Sequence, residues 1–200
     1  MEGSEHPSAA IEATLKRAVS ALDEADVPFL LGGSLASWAY GGPQTRNDLD
    51  LMVKPENGER ALKALEEAGF RPEDPPEEWL YKAWDGDAMV DIIFEPSGGP
   101  VDGAMFERAE VIDVHAVTMK VMALEDVMVT KLLSLREHDV DYESVLEIAR
   151  ALREQIGWQE VWRRTSQSPY ARAFFYLAEE LGILEEGRTD QPQSAMTETG

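Results

Sequence analysis

The stretch Leu30–Val53, LLGGSLASWAYGGPQTRNDLDLMV, decides the fold. It opens on the end of an apolar run, meets Gly32-Gly33-Ser34, and passes through a short apolar segment to the breaker Gly41-Gly42-Pro43. It then turns apolar again across Asp48-Leu49-Asp50-Leu51-Met52-Val53. Strand side chains alternate between faces, so Asp48 and Asp50 share one face while Leu49 and Leu51 take the other. Two carboxylates held this close repel and raise each other's pKa unless a cation sits between them. Mg²⁺, which takes oxygen ligands and keeps some of its waters, is the natural occupant.

A third carboxylate, Asp91, stands alone in the apolar run Met89–Phe94. An ionised Asp there is costly unless it is paired or bound to metal. With that strand beside the first, three carboxylates converge, enough for two ions: one activates a hydroxyl and one steadies departing phosphates. Gly32 and Gly33 let backbone approach a ligand closely. A helix opening at Ser34 offers amides to a phosphate, and the Ser34 hydroxyl adds a donor. Together these pieces describe a site for a triphosphate and Mg²⁺.

Outward from this stretch, residues 8–25 place Ile11, Leu15, Val19 and Leu22 about one turn apart, an amphipathic helix. A strand is expected at 27–31, a short helix at 34–40 and a helix at 56–68 closed by Gly69. Arg71–Glu78 reads as a loop. Segments 79–84 and 88–94 flank Asp85-Gly86-Asp87, a hairpin signal. Residues 111–117 alternate as an edge strand. Helices are then expected at 124–137, 142–155, 158–165 and 169–181. Strands first and helices later predict an α/β (α+β) protein: a mixed-sheet domain over 1–118, a helical module over 119–187 and a disordered tail at 188–200.

The chain has 200 residues, 44 % hydrophobic, with no cysteine and a net charge of −21. The absence of cysteine excludes a disulfide scaffold and thiolate zinc sites and suits a reducing cytoplasm. No signal peptide and no membrane span are expected. The acidity argues against casual binding to nucleic acid. It is uneven, however: residues 120–172 carry 8 basic and 9 acidic side chains. His6, His115 and His138 lack metal-ligand spacing. Trp158 and Trp162, one turn apart, read as a core stripe, and Arg163, Arg164 and Arg172 as a solvated helix face.

The order Gly32-Gly33-Ser34, then Thr45-Arg46-Asn47-Asp48-Leu49-Asp50, then Asp91 resembles the DNA polymerase beta-type nucleotidyltransferase superfamily over roughly residues 10–117. The resemblance implies a small mixed sheet flanked by helices, two Mg²⁺ ions, an NTP donor and transfer of a nucleoside monophosphate. It makes Asp48 and Asp50 metal ligands and Asp91 either the third ligand or the base. Gly32, Gly33 and Ser34 would hold the triphosphate.

In the helical half, Lys131 interrupts an apolar helix face whose neighbours are Val127, Met128 and Leu135. It either snorkels to water or reaches a phosphate as a point charge. This part resembles the AbiEii-type and MenT-type toxin nucleotidyltransferases, which implies that Lys131 binds phosphate and that Asp139 orients the lysine or the substrate. Tyr142 stands where that branch often has a second aspartate, so Asp139 and Asp141 compete for the role. The toxin likeness implies an RNA acceptor, a tRNA end, and a cognate antitoxin. The alternatives are a small cationic antibiotic of the aminoglycoside type, drawn to acidic stretches such as Glu73–Glu78, and an inactive nucleotide-binding module.

Overall fold

Leu49 and Leu51 are fully buried while Asp48 is exposed, so the alternation in DLDLMV is realised as a strand with one face in the core. The computed structural model describes residues 7–43, 48–73 and 76–185. The expected tail, His6, Thr45-Arg46-Asn47 and the Asp74-Pro75 tip of the acidic stretch lie outside the described residues.

Helix α1 spans Pro7–Glu24 and is followed by β1 (Phe29–Leu31), α2 (Gly33–Ala39) and β2 (Asp48–Val53). A 3₁₀ turn at Pro55–Asn57 leads into α3 (Gly58–Glu67). Strands β3 (Arg71–Glu73), β4 (Leu80–Asp85) and β5 (Ala88–Ile93) come next, then α4 (Gly103–Arg108), β6 (Glu110–Val114) and β7 (Val117–Val121). Helices α5 (Leu124–Ser134), α6 (Tyr142–Leu152), α7 (Trp158–Thr165) and α8 (Pro169–Glu180) complete the described chain.

The strands form one mixed sheet in the order β3-β4-β5-β2-β1-β7-β6. The pairs β2–β5 and β1–β7 are parallel and the others antiparallel. Leu15 and Leu22 of α1, Leu65 of α3 and Leu49 and Leu51 of β2 belong to one buried cluster. Each such leucine contributes about 2 kcal/mol of burial. Helix α3 closes as expected on Gly69, at φ 90°, where the Phe70 amide donates to the Leu65 carbonyl.

A second apolar cluster begins at Leu124 and runs to Leu184. Its aromatic centre includes Trp158 beside Phe174 and Phe175, and Trp162 edge-on to Phe175 at 5.1 Å. The two tryptophans are therefore core groups, as their spacing predicts. Asp126, fully buried, ties this cluster to the sheet half. It accepts two hydrogen bonds from Arg108 of α4, both 2.9 Å, and one from Arg164 of α7 at 2.6 Å.

Several expected elements differ. Residues 71–73, read as a loop, pair with β4 as an exposed edge strand. The single edge strand expected at 111–117 is a hairpin, β6–β7, turning at His115 and Ala116 with φ of 48° and 63°. Helix α4, capped by Asp102 accepting from the Met105 amide at 2.9 Å, was not expected. Helices α5 and α6 each stop three residues early, at Ser134 and Leu152.

Candidate active site

The site is built at the ends of β1 and β2. Antiparallel pairing puts Leu31 opposite Leu51, and the Gly32 amide donates to the Asp50 carbonyl at 2.8 Å. Gly33 then opens α2 at φ 57°, a backbone region that favours glycine. Its missing side chain matters even more: a Cβ there would stand 1.6 Å from Asp50 Oδ2. The Gly-Gly-Ser turn and Asp50 are thus one packed unit.

Parallel pairing of β2 with β5 sets Asp50 opposite Asp91. Registered neighbours point the same way, so Asp48, Asp50 and Asp91 share a face. Burial is the main cause that lifts the Asp50 carboxyl, followed by the charge of Asp91, to a pKa of about 6. Asp48 adds to that rise, while Lys131 and Lys82 oppose it. Burial also raises Asp91, against the hydrogen bond and charge of Lys82.

Lys131 of α5 aims at the same place. Its ammonium donates to the Ser34 hydroxyl at 3.2 Å. Gly32, Gly33, Ser34, Asp48, Asp50, Asp91 and Lys131 therefore stand at one end of the sheet. Asp139 does not join them. It is exposed in the α5–α6 loop, where its backbone exchanges hydrogen bonds with Arg136 at 3.0 and 3.1 Å. Asp141 caps α6, accepting from the Ser144 amide at 3.3 Å.

Lys82 was absent from the residues read off the sequence. On β4 it faces Asp91 in register and its ammonium lies 3.0 Å from Asp91 Oδ1. The signal was present in the Asp85-Gly86-Asp87 turn. Asp85 opposite Ala88 fixes the hairpin register, and counting back three residues on one strand and forward three on the other pairs Lys82 with Asp91. Among the described residues, no group of three or more His, Cys, Asp or Glu side chains stands arranged to hold a metal ion. Asp48 and Asp50, hard oxygen donors on one strand face, still fit a divalent cation in chemistry.

A mixed sheet with a Gly-Gly-Ser turn against an Asp-x-Asp strand, backed by helices, is the arrangement that the resemblance to nucleotidyltransferases implies. The chain belongs to the family described as uncharacterised nucleotidyltransferases, which it matches over residues 4–181. Solved structures share the fold. The solution structure of the antibiotic-resistance factor ANT(2'')-Ia matches with a TM-score of 0.60 at 14 % identity, over 88 % of this chain and 98 % of that one. ANT(2'')-Ia in complex with adenylyl-2''-tobramycin matches with a TM-score of 0.60 at 16 % identity, over 83 % and 97 %. A crystal structure from H. pylori matches with a TM-score of 0.53 at 18 % identity, over 90 % and 83 %. No curated protein matches the chain. Among the described residues, no helix is long and apolar enough to cross a membrane.

Proposed function

We propose that this nucleotidyltransferase moves a nucleoside monophosphate from an NTP to the hydroxyl of a small, positively charged acceptor. The observation that carries the chemistry is the row formed by Gly32 just after β1, Asp50 on β2 and Asp91 on β5, with Lys131 at Ser34 beside it. The acceptor oxygen attacks the α-phosphorus, the new P–O bond forms, the bond to the bridging oxygen breaks, and pyrophosphate leaves. The hydroxyl proton passes to a base, for which Asp91 stands nearby as the candidate.

Asp48 and Asp50 would hold Mg²⁺, which supplies charge neutralisation on the phosphates and activation of the attacking oxygen when bound. Lys131 supplies a mobile point charge for the triphosphate, with Ser34 and the Gly32-Gly33 backbone forming the adjoining wall. Asp139 is exposed in the α5–α6 loop, where its backbone pairs with Arg136, and the proposal gives it no role.

The acceptor assignment rests on charge. A net charge of −21 concentrates cations at the surface and repels polyanions. The structure of ANT(2'')-Ia in complex with adenylyl-2''-tobramycin shares the fold over 97 % of its length. The second reading, a tRNA end as acceptor in a toxin paired with an antitoxin, is favoured by the near-balanced charge of residues 120–172. The arginines of that segment that an RNA phosphate would meet are engaged, however. Arg163 pairs with Glu160, Arg164 with Asp126, and Arg172 donates to the Ser166 and Gln167 carbonyls. The lack of cysteine suits work in the cytoplasm under either reading.

The deciding experiment offers the protein Mg²⁺, each NTP in turn, and either an aminoglycoside panel or total tRNA. Mass spectrometry then looks for added nucleoside monophosphate. Nucleotidylated aminoglycoside supports the first reading; labelled tRNA alone replaces it with the second. NTP binding with no transfer to any acceptor marks an inactive binding module.

A further inference from the structure

Lys82 stands in a straight row across three strands: it is opposite Asp91, and Asp91 is opposite Asp50. Its ammonium lies 3.0 Å from Asp91 Oδ1, and the two side chains are only 18 % and 13 % exposed. A second contact, 3.7 Å to Met89 Sδ, holds the lysine against β5. Among the described residues, no lysine or arginine side chain makes a comparable contact with the Asp48 or Asp50 carboxylate. The three acidic groups are therefore not equivalent, because one of them already has its cation.

Resting on the nucleotidyl-transfer reading, we propose that Lys82 is the built-in cation of Asp91. The site then takes a single divalent ion, on Asp48 and Asp50, where three uncommitted carboxylates would take two. An ion arriving at Asp91 has to displace an ammonium that is largely withdrawn from water. Removing one partner of such a pair leaves the other charge unpaired in a poorly hydrated place, which is strongly unfavourable. Asp48 and Asp50 have no direct ion pair to break: Lys131 and Lys82 reach Asp50 through their charge alone. Lys82 does at Asp91 what a second ion would do electrostatically. It is fixed by the hairpin register, and it leaves the other Asp91 oxygen for the acceptor side. Lys82 is thus a positioning residue that sets metal stoichiometry.

The test counts Mn²⁺ ions bound by the full chain with a non-hydrolysable NTP analogue, reading unbound Mn²⁺ by electron paramagnetic resonance. One ion per chain is expected for the unmodified protein and for Lys82→Arg, and two for Lys82→Met. Lys82→Gln is measured alongside, and thermal melting verifies that each variant folds. Two ions in the unmodified protein overturn the inference and leave nucleotidyl transfer standing. One ion in both neutral variants also overturns it, because Lys82 then limits nothing. No nucleotide-dependent Mn²⁺ binding in any form overturns the inference and the nucleotidyl-transfer reading together.

Discussion

Lys131 Nζ lies 3.2 Å from Ser34 Oγ although 97 residues separate them in the chain. One comes from the first helix of the second apolar cluster, the other from the first turn of α2, just after β1. The contact is the point where the helical half reaches the side of the site proposed to hold phosphate.

Lys131→Ala removes that point charge without opening the core, since the side chain is only half-buried. A charge-assisted contact to phosphate is worth about 1.5–3 kcal/mol, so the KM for NTP rises about tenfold to a hundredfold. Lys131→Arg recovers part of it. Steady-state kinetics against NTP concentration read both.

Gly33→Ala is the sharpest steric test. The new Cβ meets Asp50 Oδ2, and the φ of 57° costs an L-residue about 1–2 kcal/mol besides. The Asp50 carboxylate has to move, so transfer falls about a hundredfold or more while the chain still folds with a lowered melting temperature. Gly41→Ala, where a Cβ meets nothing within 4 Å, serves as the control for backbone strain alone.

Asp50 gives the metal-free protein a distinctive pH dependence. Its carboxyl is raised from 3.8 to about 6 in the fold, so the folded state holds that proton more tightly than the unfolded chain. This group's share of stability is present below the ordinary aspartate range. It is lost as pH rises to about 6 and stays lost above it. Melting temperatures of the metal-free protein fall across that window, and Asp50→Asn flattens the slope relative to the unmodified chain. Added Mg²⁺ restores stability above the window through binding to the folded state.

The Arg108–Asp126–Arg164 cluster is predicted to matter for stability. Asp126→Ala strands two arginines around a fully buried position and costs about 3 kcal/mol. For a chain of this size that lowers the melting temperature by about 10 °C. Replacing all three groups with Met, Leu and Met recovers much of the loss, because apolar packing substitutes for the ionic cluster. Calorimetry on the single and triple variants gives both values.

How much of this was legible beforehand follows from which signals are local. Asp48, Asp50 and Gly33 announce themselves because strand alternation and a glycine turn are encoded within a few residues. Asp91 stands out as one charge in an apolar run. The β6–β7 hairpin was hidden because His115 and Ala116 occupy left-handed positions that glycine or asparagine usually fills. Strand β3 was hidden because Arg71, Pro72 and Glu73 have no buried face to pattern; only backbone pairing with β4 makes them a strand. The meeting of Lys131 with Ser34 depends on how α5 packs against α2, which no spacing rule records. Lys82 falls between these cases, since its partner follows from a hairpin register that the Asp85-Gly86-Asp87 turn did carry.

The central claim is that phosphoryl chemistry occurs at the Asp48–Asp50 face. The most direct measurement is pyrophosphate released from NTP with Mg²⁺ and an aminoglycoside acceptor, in step with nucleoside monophosphate gained by that acceptor, for the unmodified protein and for Asp50→Asn. We predict stoichiometric release and transfer in the first and a loss of at least about a thousandfold in the second, with NTP still retained through Lys131. Undiminished transfer by Asp50→Asn would contradict the account.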